Sequence, residues 1–269
     1  MSSGGDWRTT PAAALTDGSD FLHLLKENGH SAPSTTSQHA GTIDTPTEGT
    51  TILAIRYREG VLVAGDRRAT AGNVIVYDRA AKVLSVDDRS VMALSGSPAS
   101  AYEIARLLEI SFQHYRRTQL QELSLDGRLR TLSRLLRDNL PMAMQGIGAV
   151  VPIFSTFDSS GGSGKIYFYD VLGAQFESVD FCTTGSGSPA IRGALYYLNR
   201  WGGQPLAEMD EETSLGLVLK MLETAAEFDT ATGGYKTSAR IFPQVMRITA
   251  AGIVVVPEQE LEAFYQAQL

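Results

Sequence analysis

The chain has 269 residues, of which 43% are hydrophobic and 20% are charged, values typical of a soluble globular protein with a sizeable core. The net charge of −7 and the lack of a basic, aromatic-rich stretch argue against a nucleic-acid-binding protein. No apolar run reaches the roughly 18 residues of a membrane-spanning helix, and the first residues lack the basic and apolar regions of a secretory signal. We therefore expect a cytoplasmic protein that binds neither nucleic acid nor a membrane.

Residues 1–49 differ in composition from the rest of the chain. They are rich in Ser, Thr, Gly, Ala and Pro and show no sustained hydrophobic period. Such a segment buries too little apolar surface to offset the entropy of folding, so we expect an extension without a core of its own. The composition changes at Thr50, where the strand-like run TTILAIRY begins. A folded domain is therefore expected at residues 50–269.

A first hairpin is predicted at the start of this domain. The runs TTILAIRY and VLVAGD are strand-like, and the segment REG between them suits a turn at residues 58–60. This register places Asp66 opposite Ile52 and Thr50 opposite Arg68. The segment GDRRAT is thereby expected to lie beside the beginning of the first strand.

A second hairpin is predicted from KVLSV and SVMALSG, which flank a polar turn centred on Asp88. This register places Lys82 opposite Leu94, with Gly96 just beyond the same end. A carboxylate from the first hairpin, and an ammonium and a glycine turn from the second, are thus each expected at the end of a hairpin. The sequence does not determine whether the two ends meet.

Helices and strands follow in groups. Pro98 is expected to open a helix that runs to about residue 117 with Ser97 as its N-cap, and a second helix is expected over about 127–144, interrupted at Pro141. The expected apolar face of the first helix consists of Tyr102, Ala105, Leu108, Ile110 and Phe112. Then come the strands AVVPIFSTF, KIYFYDV and FESVDFCTTG, the helices SPAIRGALYYLNRWG and EETSLGLVLKMLETAAEFD, the hairpin QVMRITAAGIVVV and the terminal helix EQELEAFYQAQL. This grouping favours an α+β protein whose antiparallel sheets are covered by helices.

The residues of conventional hydrolase and metal chemistry are scarce in this domain. His114 is its only histidine, and Cys182 is the only cysteine of the chain. A serine or cysteine protease would have to use His114, which we expect on the surface of a helix. No ligand cluster with zinc spacing is present, and GGSGK at residues 161–165 lacks the spacing of a phosphate loop and reads as a hairpin loop. The sequence therefore predicts no metal and no cofactor.

An N-terminal threonine offers a different base. A free α-amine has an ordinary pKa of about 7.7–8.0, so a useful fraction is neutral near pH 7 and can accept a proton from a neighbouring hydroxyl. This chemistry requires a chain that is cut immediately before the hydroxyl residue. Gly49–Thr50 is the junction at which the extension meets the first strand, and we therefore expect cleavage there.

Six features, taken together, resemble a known family. They are TTILAIRY, GDRRAT, Lys82, LSGSPA, TTGSGSP and DTATGG. Each is weak alone, but in this order and spacing they resemble a proteasome beta subunit of the actinobacterial type, an N-terminal threonine hydrolase. The resemblance covers essentially all of residues 50–269 and implies that residues 1–49 are a propeptide removed by autocleavage. It also implies a four-layer αββα sandwich of two antiparallel sheets between helix layers.

The resemblance assigns the central chemical roles to four residues. The Thr50 hydroxyl would attack the scissile carbonyl, and the Thr50 amine would accept its proton. Lys82 would favour the neutral amine and the developing alkoxide through its positive charge. Asp66 would keep Lys82 protonated and oriented, and the Gly96 N–H would donate to the oxyanion.

Three further residues are implied around the Thr50 amine. Ser186 and Asp229 would form hydrogen bonds there, with Thr232 as an additional support. Many members of the wider family have serine where this chain has Thr232, but the hydroxyl is retained. We therefore expect a modest effect on geometry rather than lost chemistry.

The substrate pocket and the partners are also inferred from the resemblance. The pocket for the residue before the cut would be lined by Ala69, Ala80, Leu94, Pro98 and Tyr102. None of these is charged, so apolar residues are expected to be preferred there. The implied assembly is a homo-heptameric beta ring stacked with proteasome alpha rings, which receives unfolded protein substrates from a ring-shaped ATPase activator.

Three other readings are compatible with parts of the pattern. A simpler bacterial threonine protease that forms double hexamers shares the TT start and a later GD, but GDRRAT, DTATGG and the long extension argue against it. A non-catalytic ring subunit should have lost the Gly49–Thr50 junction, Lys82 or Asp66, and this chain retains all three. A small-molecule amidase with the same N-terminal chemistry would be distinguished by its activity on amides other than peptides.

Overall fold

The computed structural model describes residues 49–72 and 74–268. Of the extension expected at residues 1–49, residues 1–48 lie outside the described residues. The strands of the described part are β1 (Thr51–Tyr57), β2 (Gly60–Gly65), β3 (Ala69–Ala71), β4 (Val74–Tyr77), β5 (Val83–Ser85), β6 (Ser90–Ala93), β7 (Ile153–Asp158), β8 (Ser163–Tyr169), β9 (Gln175–Ser178), β10 (Phe181–Gly185), β11 (Gln244–Thr249) and β12 (Gly252–Val255). Its α-helices are α1 (Pro98–Gln119), α2 (Leu125–Asp138), α3 (Leu140–Met144), α4 (Ser188–Trp201), α5 (Glu211–Phe228) and α6 (Glu258–Gln268).

Two five-stranded antiparallel sheets form the centre of the domain. The first sheet has the order β10-β1-β2-β11-β12, and the second has the order β5-β6-β7-β8-β9. Strand β1 is buried on both faces because its alternate residues face different layers. Leu53 and Ile55 belong to a core with the helices α4, α5 and α6, whereas Ile52 and Ala54 belong to a core between the two sheets.

The second sheet is covered on its outer face by α1 and α2. A separate core joins Leu108 of α1 and Leu132 of α2 to Phe154 and Tyr169 of the sheet. The layer order is therefore helices, sheet, sheet, helices. The predicted α+β class and the four-layer αββα sandwich are confirmed.

The predicted register of the first hairpin is wrong by one residue. Ile52 pairs with Gly65 instead of Asp66, and Tyr57 pairs with Gly60, so the turn has two residues instead of three. Gly60 is a strand residue, paired with Tyr57 of β1 and Thr249 of β11. It must be glycine because a Cβ there would lie 1.9 Å from the carbonyl oxygen of Ile248. The register of the second hairpin is confirmed by the pairing of Val83 with Ala93.

Several predicted boundaries are also corrected. Helix α1 begins at Pro98 as predicted, but Tyr102 and Ile110 are exposed, and Ala101 and Ile104 take their places in the core. The second helix ends at Asp138, before the Pro141 that was expected to interrupt it, and a short helix follows. The predicted strand FESVDFCTTG is divided into β9 and β10. The small sheet of β3 and β4 was not predicted, because its second strand is exposed at every residue.

Candidate active site

Thr50 lies immediately before β1 and is 5% exposed. The chain continues through Gly49, so the Thr50 nitrogen is an amide that stands where cleavage would create the α-amine. This nitrogen donates a hydrogen bond to the Ser186 hydroxyl over 3.1 Å. The pairing of β1 with β10, in which Thr51 lies opposite Gly185, brings Ser186 to this position.

Asp66 and Lys82 form a buried ion pair beside Thr50. The Lys82 Nζ lies 2.7 Å from Asp66 Oδ1, and the two side chains are 7% and 0% exposed. Asp66 also accepts backbone N–H groups from Thr51, at 2.9 Å on Oδ1, and from Arg68 and Gly233, each at 2.9 Å on Oδ2. Four donors thus hold both oxygens of a fully buried carboxylate, which is the condition under which such a charge is tolerated.

The Lys82 ammonium has two further acceptors near the Gly49–Thr50 junction. It donates to the Arg68 carbonyl over 2.5 Å and lies 3.5 Å from the carbonyl oxygen of Gly49. Burial lowers the pKa of Lys82 from its ordinary value, and the charge and hydrogen bond of Asp66 oppose this change. Asp66 therefore favours the protonated form of the lysine.

The two sheets meet at this edge of the sandwich, which explains why the two hairpin ends coincide. A Cβ at Gly65 of β2 would lie 3.4 Å from the Cβ of Lys82, an ordinary contact distance, so the two sheets lie against each other at this point. The Gln244 side chain of β11 accepts from the Val83 amide at 3.1 Å and donates to the Val83 carbonyl at 2.6 Å. These bonds join the first sheet to the edge strand that follows Lys82.

A second polar group surrounds the other side of Thr50. Asp229, directly after α5, accepts from the hydroxyls of Ser186 and Thr232 on the same oxygen, each over 2.6 Å. Its other oxygen accepts from the Ala231 amide at 3.1 Å, which closes the loop that follows the helix. The predicted site residues of this region therefore lie within one hydrogen-bonded network.

Gly96 presents its backbone N–H away from the neighbouring strand. It is bridged to Val150, and the flanking bonds run from Ser97 N–H to Ala149 and from Val151 N–H to Ser95. In this antiparallel geometry the N–H of the central residue points to the opposite side, and no hydrogen bond among the described residues uses it. Gly96 has φ +107°, and a Cβ would lie 2.1 Å from the Ala149 carbonyl oxygen, so only glycine fits.

A pocket opens beside Thr50 and Lys82. The five residues predicted for it all line it, and they are Ala69, Ala80, Leu94, Pro98 and Tyr102. Gly96 and Gly49 also line this pocket, so the glycine with the unused N–H and the Gly49–Thr50 junction lie beside the same space. The side chains around the pocket include no carboxylate.

Thr51 and Arg68 belong to this site although they were not predicted as site residues. The Arg68 guanidinium donates to the carbonyls of Thr230 at 2.8 Å and Thr232 at 3.0 Å, which fixes the loop that contains Asp229. The expected proximity of Arg68 to Thr50 could have suggested a contact. No sequence signal distinguishes Thr51 from an ordinary strand threonine.

Other chemistry finds little support in the described part of the chain. Burial raises the pKa of the Cys182 thiol to about 11, so it is a poor nucleophile near neutral pH. His114 is exposed on α1, as predicted. Among residues 49–72 and 74–268 no group of His, Cys, Asp and Glu has the arrangement of a metal site, and no helix there is long and apolar enough to cross a membrane.

Comparison with known proteins agrees with the resemblance seen in the motifs. Residues 47–239 match the family model of proteasome subunits. The chain is 45% identical over 213 residues to a protein named proteasome subunit beta 2 from Thermomonospora curvata, covering 79% of this chain and 74% of the relative. It is 38% identical to proteasome subunit beta of Streptomyces griseus, covering 93% of this chain and 88% of the relative. It is 36% identical to proteasome subunit beta of Jonesia denitrificans, covering 94% and 82%. The chain therefore belongs to the proteasome subunit family, as a beta-type member similar to those of actinobacteria.

Proposed function

We propose that the chain is the catalytic beta subunit of a bacterial 20S proteasome, a threonine endopeptidase that hydrolyses peptide bonds of unfolded proteins. Residues 1–49 are the propeptide in this proposal, and cleavage between Gly49 and Thr50 creates the active N-terminus. One observation carries the proposal. The Asp66–Lys82 ion pair and the bond from the Thr50 nitrogen to Ser186 meet at Thr50, on the edge of an apolar pocket.

In the proposed reaction the Thr50 hydroxyl attacks the carbonyl carbon of the scissile peptide bond, and its proton passes to the Thr50 α-amine. The nearby Lys82 ammonium disfavours a second positive charge on the amine, so the neutral form, which acts as the base, is favoured. The amine then returns the proton to the leaving amino group of the substrate. The resulting ester on Thr50 is hydrolysed by water.

The negative charge that develops on the carbonyl oxygen requires a donor already in place. The Gly96 N–H lies on the pocket and has no partner among the described residues, so it can serve this purpose. One oxyanion donor of this kind is worth about 2.7–4 kcal/mol in the transition state. Lys82 adds a positive charge on the same side of the pocket.

The proposed self-cleavage depends on the tight fit of Gly49. Its N–H donates to the Thr70 hydroxyl over 3.2 Å, and its carbonyl oxygen lies near Lys82. A Cβ at this position would lie 1.7 Å from the Cβ of Ala231, a distance that no folded chain tolerates. A side chain here must displace either the junction or the loop that carries Asp229.

Gly49→Ala is therefore expected to slow the appearance of the shortened chain by on the order of tenfold to a hundredfold, because a misplacement of about 1 Å at a reacting group can have such an effect. Mass spectrometry of the chain at successive times after assembly measures the rate. The double variant Gly49→Ala, Ala231→Gly removes the nearest clashing group, the Ala231 methyl, and should restore part of the rate. The new Cβ would still lie 2.8 Å from the Cα of residue 231, so we do not expect full recovery. Cleavage of Gly49→Ala at the wild-type rate would contradict the proposed role of this fit.

The assembly that we propose is a homo-heptameric beta ring stacked with alpha rings, with a ring-shaped ATPase that delivers unfolded proteins. The names of the similar relatives and the match to the family model support membership in such a complex. The cytoplasm is the compartment in which these partners would act. We expect substrates with an apolar residue before the cut, because Ala69, Ala80, Leu94 and Pro98 give the pocket an apolar lining and its one charged side chain, Lys82, is already paired with Asp66.

The function is tested by N-terminal sequencing of the chain after assembly with its alpha partner and by hydrolysis of fluorogenic peptides. We expect a chain that begins Thr50-Thr51-Ile52 and that cleaves after apolar residues in preference to charged ones. A chain that keeps residue 49 in the full assembly would favour the non-catalytic subunit. A processed chain that cleaves other amides but not peptides would favour the amidase.

A further inference from the structure

Thr51 has a hydroxyl that the proposed mechanism does not use. The residue is fully buried, and it is the first residue of β1. Its Oγ1 lies 2.6 Å from Thr232 Oγ1 and accepts the Gly187 N–H over 3.1 Å. Thr51 does not line the substrate pocket. Its side chain therefore meets the catalytic network from the side remote from the substrate.

The direction of the protons in this network follows from the number that each group has. A carboxylate only accepts hydrogen bonds, so the hydroxyls of Ser186 and Thr232 each donate their single proton to Asp229. Thr232 then has no proton left for Thr51. The proton in the 2.6 Å contact between the two threonines must come from Thr51, whose oxygen in turn accepts from Gly187.

The network thus reaches Asp229 from two ends. On one side the Thr50 nitrogen donates to Ser186, which donates to Asp229. On the other side the Gly187 N–H donates to Thr51, which donates to Thr232, which donates to Asp229. Hydrogen bonds in such a chain polarise one another, and the loss of one hydroxyl leaves the next side chain without the hydrogen bond that orients it.

The space around Gly187 is adapted to this arrangement. A Cβ at Gly187 would lie 2.2 Å from the Thr51 hydroxyl oxygen and 2.8 Å from the Thr232 hydroxyl oxygen. The two hydroxyls occupy the volume that a side chain would need. Thr51 also uses its backbone, since its N–H donates to Asp66 and its carbonyl accepts from the Asp66 N–H at 3.1 Å. One residue therefore contacts both polar groups of the site.

We propose that Thr51 is a positioning residue, whose hydroxyl orients Thr232 and through it the Asp229–Ser186 pair that holds the Thr50 nitrogen. The inference rests on the proposed function, because it assigns to Thr51 a part in the reaction of Thr50. It extends that function by a residue that acts on the nucleophile's amine without touching substrate.

The test uses Thr51→Val in the full chain assembled with its alpha partner, because valine keeps the branched shape and replaces the hydroxyl with a methyl group. We expect kcat on a fluorogenic peptide to fall on the order of tenfold to a hundredfold, because the attacking group is misplaced. KM should stay within about twofold, because Thr51 does not line the pocket and its hydroxyl is not expected to affect the binding of the substrate in its ground state. Thr51→Ser keeps the donor and should restore most of kcat.

Thr183→Val is the matched control. Thr183 is also buried, and its hydroxyl donates to the Ile52 carbonyl of the same strand β1, over 3.0 Å, without reaching Asp229. The same chemical change there should alter thermal stability but leave kcat unchanged. If Thr51→Val does not assemble, Thr51→Ala removes the hydroxyl without adding a buried methyl group and is compared with Thr51→Ser in the same way.

A second check is the double variant Thr51→Val, Thr232→Val. Because Thr51 is inferred to act through Thr232, removing the Thr51 hydroxyl should lower kcat little further once Thr232 has lost its own hydroxyl. If the double variant lowers kcat by the product of the two single effects, the inference is overturned. A normal kcat in Thr51→Val, or an equal loss of kcat in Thr51→Ser, would also overturn it. A wild-type assembly without peptidase activity would instead refute the proposed function itself.

Discussion

Thr50→Ala is expected to leave the chain at its full length after assembly and to abolish peptide hydrolysis. The variant removes the proposed nucleophile of both reactions, the cut after Gly49 and the cut in the substrate. When catalytic residues act as a unit, removing the nucleophile alone reduces kcat by roughly 10⁵-fold or more. Intact mass and a fluorogenic peptide assay measure the two effects on the same sample.

Thr50→Ser is the control for this result. It retains a hydroxyl in the same place, so the chain should still be cut and should keep measurable peptidase activity. A Thr50→Ala chain that is shortened to begin at residue 50 would show that another protease performs the cut. A shortened Thr50→Ala chain with normal activity would exclude Thr50 as the nucleophile.

Lys82→Met is expected to have the second largest effect, on activity and stability together. Loss of the ammonium removes the charge proposed to act beside the Thr50 amine and the oxyanion, for which we expect a fall in kcat of about 10²–10³-fold. It also leaves the Asp66 carboxylate, which is fully buried, without its ion-pair partner. Breaking a buried pair in this way lowers the free energy of unfolding by about 3 kcal/mol or more. Denaturant titration at neutral pH measures the second effect.

The double variant Asp66→Asn, Lys82→Met separates the two effects. With neither charge present, no buried ion is left unpaired, so part of the lost stability should return. Activity should not return, because the ammonium is still missing. If activity recovers along with stability, Lys82 has a structural role only, and the proposed mechanism loses its central charge.

The regular elements were largely predictable from local patterns, whereas the residues of the candidate site were predicted from the resemblance to a known family. The second hairpin, the start of α1 at Pro98 and the order of strands and helices follow from alternation, turn residues and a proline at the first helical position. The register of the first hairpin was not predictable. Gly60 looks like a turn residue, but it lies in a strand. It is glycine there because the backbone of Ile248 leaves no room for a side chain.

The geometry of the site could be predicted only in part. The motifs indicated that Thr50, Asp66, Lys82 and Gly96 act together. The predicted registers placed the first two at the end of one hairpin and the last two at the end of the other, without showing that the two ends meet. Thr51 carried no signal at all, because a β-branched residue at the start of a strand is ordinary. Its contact with Thr232 joins residues far apart in the chain, and such contacts depend on packing between layers.

By itself the sequence predicted a domain at residues 50–269, and it determined that groups of strands and helices alternate there and that histidine and cysteine are scarce. These properties are local or compositional, and each residue contributes to them independently of the fold. Only the tertiary structure decided that the two hairpin ends form one site. They meet where Lys82 lies against Gly65 and where Gln244 pairs with Val83 across the two sheets, contacts that exist only after the layers have packed.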